Sequence, residues 1–339
     1  MTLASRDEGA LPLPRAVSRS VKERRHVLDL DDFTRQEIED ALQNAGVMRD
    51  VLRRDIRKVP MLRGKSIITL FNEASTRTRV SFEQAGKVLS ADVINVSGAG
   101  SSTEKGESLY NTALTLQAMN ADMIVVRHPH AGAPHFLARH LKASVINAGD
   151  GSHAHPTQAL LDLYTIQSRL GRIEGLKVVI VGDILYSRVA RSNLWGMTKM
   201  GAQVVLCAPP TLLPLDLING YRSTPGHPFA SVQVETSVER ALEGADVVMA
   251  LRLQLERQKA GHIPTLREYS RMYGITQQRL ELAKPEVLVM HPGPMNEGVE
   301  IAPEVAHGAR SVVEEQVTNG VAVRMALLYG LVPSAGEAT

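Results

Sequence analysis

Short apolar runs alternate with segments of helical periodicity along most of this chain. The apolar runs have the length of buried strands and lie at 66–71, 92–96, 123–126, 143–146, 177–181, 203–207, 246–250 and 287–290. Between them, apolar residues recur at helical spacing in 78–89, 106–119, 133–140, 187–200 and 238–243. Strands that alternate with helices in this way predict right-handed βαβ units and parallel sheets.

The pattern falls into two halves. We therefore predict an α/β fold of two domains, each with a parallel sheet of four or slightly more strands flanked by helices. Between the halves, an apolar stripe of helical spacing runs from Ala159 to Ile166 and ends before Gly171, which predicts a helix that joins the domains. An earlier helix is predicted from an N-cap at Asp31 to about residue 54.

Composition narrows the possible functions. The 339 residues include 38 basic and 36 acidic side chains, and the formal net charge of +2 is too small for a general role on nucleic acid or membranes. The single cysteine, Cys207, cannot form an internal disulfide, which favours a reducing compartment such as the cytoplasm. No apolar run approaches the roughly 20 residues that span a bilayer, and no secretory signal is visible. Residues 1–22 lack periodicity, and we expect a disordered tail.

The segment 71–79 has the features of an anion-binding site. It lies where a predicted strand ends and a predicted helix begins, so the first amides of the helix lack intrahelical partners and its dipole favours an anion. Ser75, Thr76 and Thr78 add hydroxyl donors, and two arginines, Arg77 among them, add guanidinium groups that suit a phosphate. The alternative is a capped helix with two solvated arginines, and the segment alone does not decide between them.

Polar groups also follow most of the other predicted strands, at the end where parallel sheets bind ligands. These strand ends hold few acidic groups, and a compact, highly anionic ligand is predicted from their five cations, Arg77, Lys105, Arg127, Arg188 and Arg252. His155 and Gln158 lie three residues apart on one helix face and can hold both ends of a small amide-like group. Taken singly, Arg127 is typical of a surface arginine, His155 of a helix-entry histidine and Lys105 of a solvated loop lysine.

The motif Ser75-Thr76-Arg77-Thr78-Arg79, followed by Ser81-Phe82-Glu83, resembles the signature of the aspartate and ornithine carbamoyltransferases. Further motifs occur in the order of that family, namely Lys105-Gly106-Glu107, Arg127-His128-Pro129, His155-Pro156-Thr157-Gln158, Gly182-Asp183, Ser187-Arg188, Arg252 and His291-Pro292-Gly293-Pro294. The resemblance extends from about His26 to Leu331. Arg127-His128-Pro129, Gly149-Asp150-Gly151 and the motif at 291–294 are similar to the aspartate branch, and the chain lacks the cysteine that the ornithine branch carries near its end.

This resemblance implies transfer of the carbamoyl group of carbamoyl phosphate to the amino group of L-aspartate, giving N-carbamoyl-L-aspartate and phosphate in de novo pyrimidine biosynthesis. It implies no cofactor, and we expect no metal, because the histidines lack zinc-type companions and no carboxylate pair has metal-ligand spacing. It also implies a homotrimer with shared active sites, which is compatible with a larger assembly containing regulatory or dihydroorotase chains.

The resemblance also assigns domains and residue roles. Carbamoyl phosphate would bind to a domain at 23–155 that a C-terminal helix at 314–331 completes, and aspartate to a domain at 172–313, with the joining helix at 156–171 between them. Carbamoyl-phosphate binding falls to Ser75, Thr76, Arg77, Thr78, Ser101, Arg127, His155, Gln158, Pro292, Gly293 and Pro294. Aspartate binding falls to Lys105, Arg188, Arg252 and Gln254. Thr78, Arg127 and His155 would be catalytic, and Ser101 and Lys105 would come from an adjacent chain.

Two positions depart from the family pattern. Gly293 stands where some members have Leu, but only its backbone carbonyl is needed. Glu297 stands where related chains often have a basic residue, and it adds a negative charge near an anion site. Two other functions stay open at this point. Ornithine carbamoyltransfer is disfavoured because the amine of ornithine needs acidic partners rather than Arg188 and Arg252. A non-catalytic homologue is disfavoured because every cation of the mapped site is retained.

Overall fold

A computed structural model describes residues 24–97, 106–215, 219–220, 223–257 and 261–332, and within these ranges the strands form two parallel sheets. The strands are β1 (Ser66–Phe71), β2 (Asp92–Ser97), β3 (Met123–His128), β4 (Ser144–Asp150), β5 (Lys177–Val181), β6 (Gln203–Cys207), β7 (Gln233–Glu235), β8 (Val247–Ala250) and β9 (Leu288–Met290). The α-helices are α1 (Arg35–Leu52), α2 (Thr76–Val88), α3 (Leu109–Ala118), α4 (Ala133–His140), α5 (Pro156–Leu170), α6 (Arg188–Lys199), α7 (Val238–Leu242), α8 (Leu266–Tyr273), α9 (Gln277–Leu280), α10 (Pro303–Ala306) and α11 (Val313–Gly330). The predicted α/β fold class is confirmed.

The first sheet has the strand order β2-β1-β3-β4, and its strands pair in parallel. The central strands β1 and β3 are almost wholly buried, which explains their continuous apolar runs. The edge strand β2 has no buried residue. Strand β4 extends past its predicted end to Asp150, because its polar residues Asn147 and Asp150 are buried and hydrogen-bond to each other.

The second sheet has the order β7-β6-β5-β8-β9, and its strands also pair in parallel. The apolar pattern misses β7, because two of its three residues, Gln233 and Glu235, are polar. This short strand pairs with β6 at the edge of the sheet and leaves Gln233 exposed. The other four strands occupy the predicted positions within about one residue.

The first helix begins later than the sequence analysis predicts. Its N-cap is Thr34, whose hydroxyl oxygen accepts a hydrogen bond from the Glu37 amide, while the Glu37 carboxylate accepts one from the Thr34 amide at 2.7 Å. The Asp31 prediction was wrong because this capping box favours the later start. The Asp31 carbonyl instead accepts a hydrogen bond from Lys199 Nζ at 2.7 Å.

Two long helices connect the sheets. Helix α5 has proline at its first position and ends at Gly171, which adopts a left-handed conformation with φ of 72°. It packs against β4 on one side and against α6 on the other. Helix α11 packs against α1, α2 and α5, and it buries the polar side chains of Gln316, Asn319 and Arg324. One apolar core thus runs from the helices of the first sheet through α5 into the second sheet.

None of the helices in the described ranges is long and apolar enough to cross a lipid bilayer.

Candidate active site

A cavity of about 1120 Å³ lies where the carboxyl ends of the two sheets meet. The loops after β1 and β3 line one side, and the loops after β5, β8 and β9 line the other. In each sheet the chain order reverses at this point, and such switch points bind ligands in open α/β sheets. Every predicted site residue within the described ranges lines this cavity. Ser101 and Lys105 lie outside the described residues, as does the predicted tail at 1–22.

The start of α2 presents hydrogen-bond donors to the cavity. Ser75 is the N-cap residue, and its hydroxyl makes no capping bond within the described chain, so it is free to contact a ligand. Thr76, Arg77 and Thr78 form the first turn, whose amides have no intrahelical partners. Burial and the charge of Arg252 lower the pKa of Arg77 below its ordinary value. Because one cation comes from each sheet, an anion between them is strongly favoured.

The loop after β9 is held in place by a buried histidine. His291 Nδ1 accepts a hydrogen bond from the Gly293 amide at 2.8 Å, and His291 Nε2 lies 3.2 Å from Glu300 Oε1. Gly293 has a φ of 61°, and a Cβ atom there would lie 1.9 Å from Arg77 Nη1. Glycine at this position therefore makes room for the arginine. The Glu297 side chain pairs with His307 at 3.1 Å, and the cavity lining in the described chain does not include it.

His155 and Gln158 share one wall of the cavity, as their spacing predicts. The His155 amide donates to Ser192 Oγ at 2.9 Å, and Ser192 Oγ in turn donates to Asp29 Oδ1 at 3.1 Å. Burial and the charges of nearby arginines lower the pKa of His155 well below its ordinary value, so the imidazole is neutral near neutral pH. Gln158 Nε2 donates to the buried Asp162 at 3.0 Å.

Three arginines converge on Glu73, a residue to which the sequence analysis gave no role. Arg127 Nη2 lies 2.6 Å from Glu73 Oε1, and Arg257 Nη2 lies 3.4 Å from the same oxygen. Arg188 donates to both carboxylate oxygens. Glu73 follows β1, whereas Arg188 and Arg257 follow β5 and β8, so this carboxylate bridges the two sheets. The sequence pattern predicts few acidic groups at the strand ends and therefore gives no indication that the Glu73 carboxylate lies at the centre of the arginine cluster.

The charges in this cluster perturb one another. Partial burial raises the pKa of Glu73, but the hydrogen bond from Arg188 and the surrounding arginine charges hold it below its ordinary value. Burial and the charge of Arg188 lower the pKa of Arg127 to about 9. A Cβ atom on Gly149 would lie 2.9 Å from Arg188 Cζ and 3.1 Å from Arg127 Nη1, so glycine is needed there. The arginines outnumber the carboxylate and leave positive charge for an anionic ligand.

Arg252 and Gln254 lie on the loop after β8. Arg252 Nη2 donates to Gln254 Oε1 at 3.2 Å and also to the carboxylate of Glu256, a second acidic partner that the sequence analysis missed. The buried carboxylate of Asp183 fixes this loop by accepting from the Gln254 amide at 3.0 Å and from the Tyr186 amide at 3.0 Å. The loops after β5 and β8 are thereby tied together at the cavity.

Beside the cavity, His135, Asp150 and His153 place potential metal-ligand atoms within 4.8 Å of one another. The Asp150 carboxylate already accepts four hydrogen bonds, from Asn147 Nδ2, Ala154 N, Gly132 N and His153 Nδ1. These four donors account for its lone pairs. We therefore interpret the group as a His153–Asp150 ion pair that fixes the loop around Gly151, whose carbonyl accepts from Arg188 at 3.1 Å.

Comparison with known proteins places the chain in a family. The family model for the carbamoyl-P binding domain of aspartate/ornithine carbamoyltransferases matches residues 25–168. The model for the Asp/Orn binding domain of the same family matches residues 174–331. The chain belongs to the aspartate/ornithine carbamoyltransferase family.

Individual relatives indicate the branch. The chain is 60% identical over 321 residues to the aspartate carbamoyltransferase catalytic subunit of Roseiflexus sp. (strain RS-1), which covers 95% of this chain and 99% of that relative. The structure of aspartate transcarbamoylase from Trypanosoma cruzi with N-(phosphonacetyl)-L-aspartic acid is 29% identical, has a TM-score of 0.83, and covers 93% of this chain and 98% of its own. The structure of ornithine carbamoyltransferase from Pyrococcus furiosus is 29% identical and has a TM-score of 0.78. The match covers 89% of this chain and 95% of that one. The fold is thus common to both branches, and the high identity is to an aspartate enzyme.

Proposed function

We propose that this enzyme transfers the carbamoyl group of carbamoyl phosphate to the amino group of L-aspartate, giving N-carbamoyl-L-aspartate and phosphate for pyrimidine biosynthesis. The observation that carries the proposal is the composition of one cavity. A helix N-terminus with hydroxyls and Arg77 lies at one end, arginines of the second sheet lie at the other, and a neutral histidine lies between them. The 60% identity to an aspartate carbamoyltransferase catalytic subunit supports the same activity.

The phosphate group binds at the start of α2. Ser75, Thr76 and Thr78 offer hydroxyls together with first-turn amides, and Arg77 offers paired guanidinium donors. Ser101 of an adjacent chain completes this set by family resemblance. Burial and the nearby charge of Arg252 lower the pKa of Arg77. The dianionic phosphate offsets the repulsion between these two guanidinium groups when it binds. Binding energy at this end therefore positions the reactive carbonyl group.

The carbamoyl group lies between His155, Gln158 and the loop after β9. Thr78, Arg127 and His155 donate to the carbonyl oxygen, while the carbonyls of Pro292 and Gly293, with Gln158, accept from the amine. Pro294 closes this side of the cavity. Neutral His155 suits the role of donor, since an imidazole N–H polarises a carbonyl without bringing in a full charge.

The aspartate carboxylates bind to the cations of the second sheet. Arg188 and Arg252 are the main partners, Gln254 assists, and Lys105 enters from an adjacent chain by family resemblance. Each guanidinium has five N–H donors, so the bonds from Arg188 to Glu73 and Gly151 leave donors for substrate. Glu73 positions Arg188 and Arg127 before substrate binds, which reduces the reorganisation that binding requires.

The reaction follows from this arrangement. The neutral amine of aspartate attacks the carbonyl carbon, a new C–N bond forms, and negative charge develops on the carbonyl oxygen, where Thr78, Arg127 and His155 stabilise it. The C–O bond to phosphate then breaks, and phosphate leaves with the electron pair. An oxygen of the departing phosphate takes the proton of the attacking amine, so the reaction needs no side-chain general base. Holding two anions together is the remaining contribution of the arginines.

An exposed apolar edge and the family resemblance together support an assembly of three chains with shared sites. The edge strand β2 has no buried residue, and its Ile94 is 51% exposed. On the neighbouring helix α2, Val80 is 52% exposed. An exposed apolar edge of this kind favours contact with another copy of the chain. Family resemblance supplies the trimer, with Ser101 and Lys105 entering the adjacent site. The single buried Cys207 favours a reducing compartment, and we propose the cytoplasm.

Phosphate release from carbamoyl phosphate tests the proposal directly. We expect release that depends on L-aspartate and is negligible with L-ornithine at the same concentration. Release with ornithine alone would reassign the chain to the other branch, and no release with either amino acid would indicate a non-catalytic homologue. Mixing inactive Lys105→Ala and Arg77→Ala chains under subunit exchange tests the shared site. A return of activity is expected, and its absence after confirmed exchange would place Lys105 within its own site.

A further inference from the structure

Asp162 is a fully buried carboxylate one helical turn after Gln158 on α5. Its Oδ1 accepts hydrogen bonds from Gln158 Nε2 at 3.0 Å and from Gln316 Nε2 at 2.8 Å. Its Oδ2 accepts from Asn193 Nδ2 at 2.8 Å. Three side-chain amides from three helices therefore turn their NH₂ groups toward one carboxylate, and only Gln158 belongs to the proposed substrate contacts.

This arrangement selects one orientation of the Gln158 amide. A carboxylate can only accept hydrogen bonds, so the NH₂ end of Gln158 must point to Asp162. The carbonyl end, Oε1, is then the end left for the cavity that Gln158 lines. Without an acceptor at Asp162, the two ends of the amide could exchange by a half-turn, and a donor would face the cavity half of the time or more.

A backbone amide fixes the orientation of these side-chain amides. Gln316 Oε1 accepts a hydrogen bond from the His291 amide at 3.0 Å, so Gln316 must present its NH₂ group to Asp162. Asp162 Oδ1 must therefore accept a hydrogen bond from Gln316 Nε2, and the same oxygen accepts one from Gln158 Nε2. The loop after β9 and the amide of Gln158 are thus linked through a single oxygen atom.

We propose that Asp162 is a positioning residue that makes the site specific for the amine of carbamoyl phosphate, by holding Gln158 Oε1 toward the carbamoyl NH₂ group. The inference rests on the proposed function. With the carbonyls of Pro292 and Gly293, Gln158 forms a set of acceptors that an N–H group satisfies and a methyl group does not. Acetyl phosphate, which has a methyl group in place of the amine, is therefore the substrate analogue that this set rejects.

The test compares the dissociation constants of carbamoyl phosphate and acetyl phosphate, measured by titration calorimetry without aspartate, on the assembled enzyme. Wild type should bind carbamoyl phosphate more tightly. Asp162→Ala should reduce that preference by at least about twofold, because the acceptor end of Gln158 then faces the cavity half of the time or less, with little change in acetyl phosphate binding. Gln158→Ala should reduce it by about fivefold to tenfold, the value of one neutral hydrogen bond. The double variant should lose no more than Gln158→Ala, because both substitutions act on the same contact.

Asp162→Asn provides the conservative rescue. Since Gln316 cannot turn, the carbonyl of the introduced amide must keep the Oδ1 position, and its NH₂ group must face Asn193. Asn193 can turn to accept, because its Oδ1 is buried without a partner in the described chain. The preference for carbamoyl phosphate should therefore return. Asp40→Ala is the matched control, since buried Asp40 on α1 accepts from Gln36 Nε2 at 3.1 Å with the same four-residue spacing. It should leave the preference unchanged.

Several results would overturn the inference. One is an equal loss of affinity for both phosphates in Asp162→Ala, which indicates general disruption. Another is a preference for carbamoyl phosphate that Asp162→Ala leaves unchanged although Gln158→Ala loses it. If Asp162→Ala does not fold, Asp162→Leu replaces it in the test, because leucine fills the volume without offering an acceptor. A folded Asp162→Asn that has lost its preference for carbamoyl phosphate as Gln158→Ala has would refute the proposal by itself. A wild type without aspartate-dependent turnover refutes the proposed function, whereas an active wild type with these results refutes only the role of Asp162.

Discussion

Glu73 and Arg188 meet across the cavity, with Arg188 Nη1 3.1 Å from Glu73 Oε2, although 115 residues separate them in the chain. Glu73 follows the first strand of the first sheet, and Arg188 begins the helix after the first strand of the second. The pair is largely withdrawn from water, with side-chain exposures of 23% and 6%. A partly buried pair of this kind fixes the relative position of the elements that carry it.

Replacing Glu73 tests this relationship. Glu73→Gln removes the charge that offsets Arg127, Arg188 and Arg257, so we expect these arginines to repel one another and lose their positions. The expected result is a rise in KM for aspartate of about tenfold or more, through Arg188, together with a lower kcat, through Arg127. Glu83→Gln is the control, because its carboxylate pairs with Lys87 on the surface of α2. Steady-state kinetics of Glu73→Gln that match those of wild type would contradict this positioning role.

Arg77→Ala should remove most of the binding at the phosphate end. Arg77 lies in the first turn of α2 and reaches across to Gly293, where no side chain competes with it. We expect kcat/KM for carbamoyl phosphate to fall by about a hundredfold or more. Arg63→Ala, an exposed position before β1, serves as control and should have no effect. A near-normal kcat/KM in Arg77→Ala would remove the phosphate role.

Arg252→Ala should impair aspartate use more than carbamoyl phosphate binding. Arg252 lies on the loop after β8 in the second sheet, where Gln254 and Glu256 hold its guanidinium. Direct binding of carbamoyl phosphate and steady-state kinetics with varied aspartate separate the two effects. If carbamoyl phosphate binding alone falls as steeply as aspartate turnover, the division of substrates between the sheets is wrong.

His155→Ala should lower kcat by about tenfold to a thousandfold with a smaller effect on phosphate affinity. Burial and the charges of nearby arginines hold the pKa of His155 well below its ordinary value, so the residue is neutral near pH 7 and stays neutral as the pH rises. The ratio of wild-type to His155→Ala kcat should therefore be constant between about pH 6.5 and 9. A ratio that changes with an apparent pKa near 6.5 would show that the charged form takes part.

The His153–Asp150 pair makes a pH-dependent contribution to stability. A hydrogen bond to Asp150 raises the pKa of His153, while the pKa of Asp150 is lowered against its own burial by His153 and other donors. The contribution of a raised histidine pKa is complete below the unfolded value of about 6.5 and disappears as the pH rises through the folded value. The difference in unfolding temperature between wild type and His153→Ala should thus be larger at about pH 6 than at about pH 9. The opposite order would refute the ion pair.

Apolar patterning predicts most of the fold because the central strands of both sheets are covered on two faces. β1, β3, β5 and β8 are buried almost throughout, and a buried parallel strand must be apolar along its length. β7 escapes detection because it is an edge strand of three residues with polar ends. The predicted start of α1 was wrong because Asp31 and Thr34 are both plausible N-cap residues. Only the capping box that Thr34 forms with Glu37 decides between them.

The candidate site is predictable for residues that follow strands and not for those that act through distant partners. Arg77, Arg127 and Arg188 are visible in sequence because each lies at a strand end or a helix start. Glu73 lies within the same segment as Arg77, but its role depends on residues more than 50 positions away. Asp162 gives no signal in sequence, since a carboxylate in an amphipathic helix is normally exposed.

We propose that one cavity holds a phosphate group and an aspartate at the same time. Binding of N-(phosphonacetyl)-L-aspartate, which joins both groups in one molecule, tests it most directly by calorimetry on wild type, Arg77→Ala and Arg252→Ala. We expect one site per chain in wild type and a loss of affinity of at least about tenfold in each variant, because the two arginines hold opposite ends of the ligand. The absence of binding to wild type, or binding that one of these substitutions leaves unchanged, would contradict it.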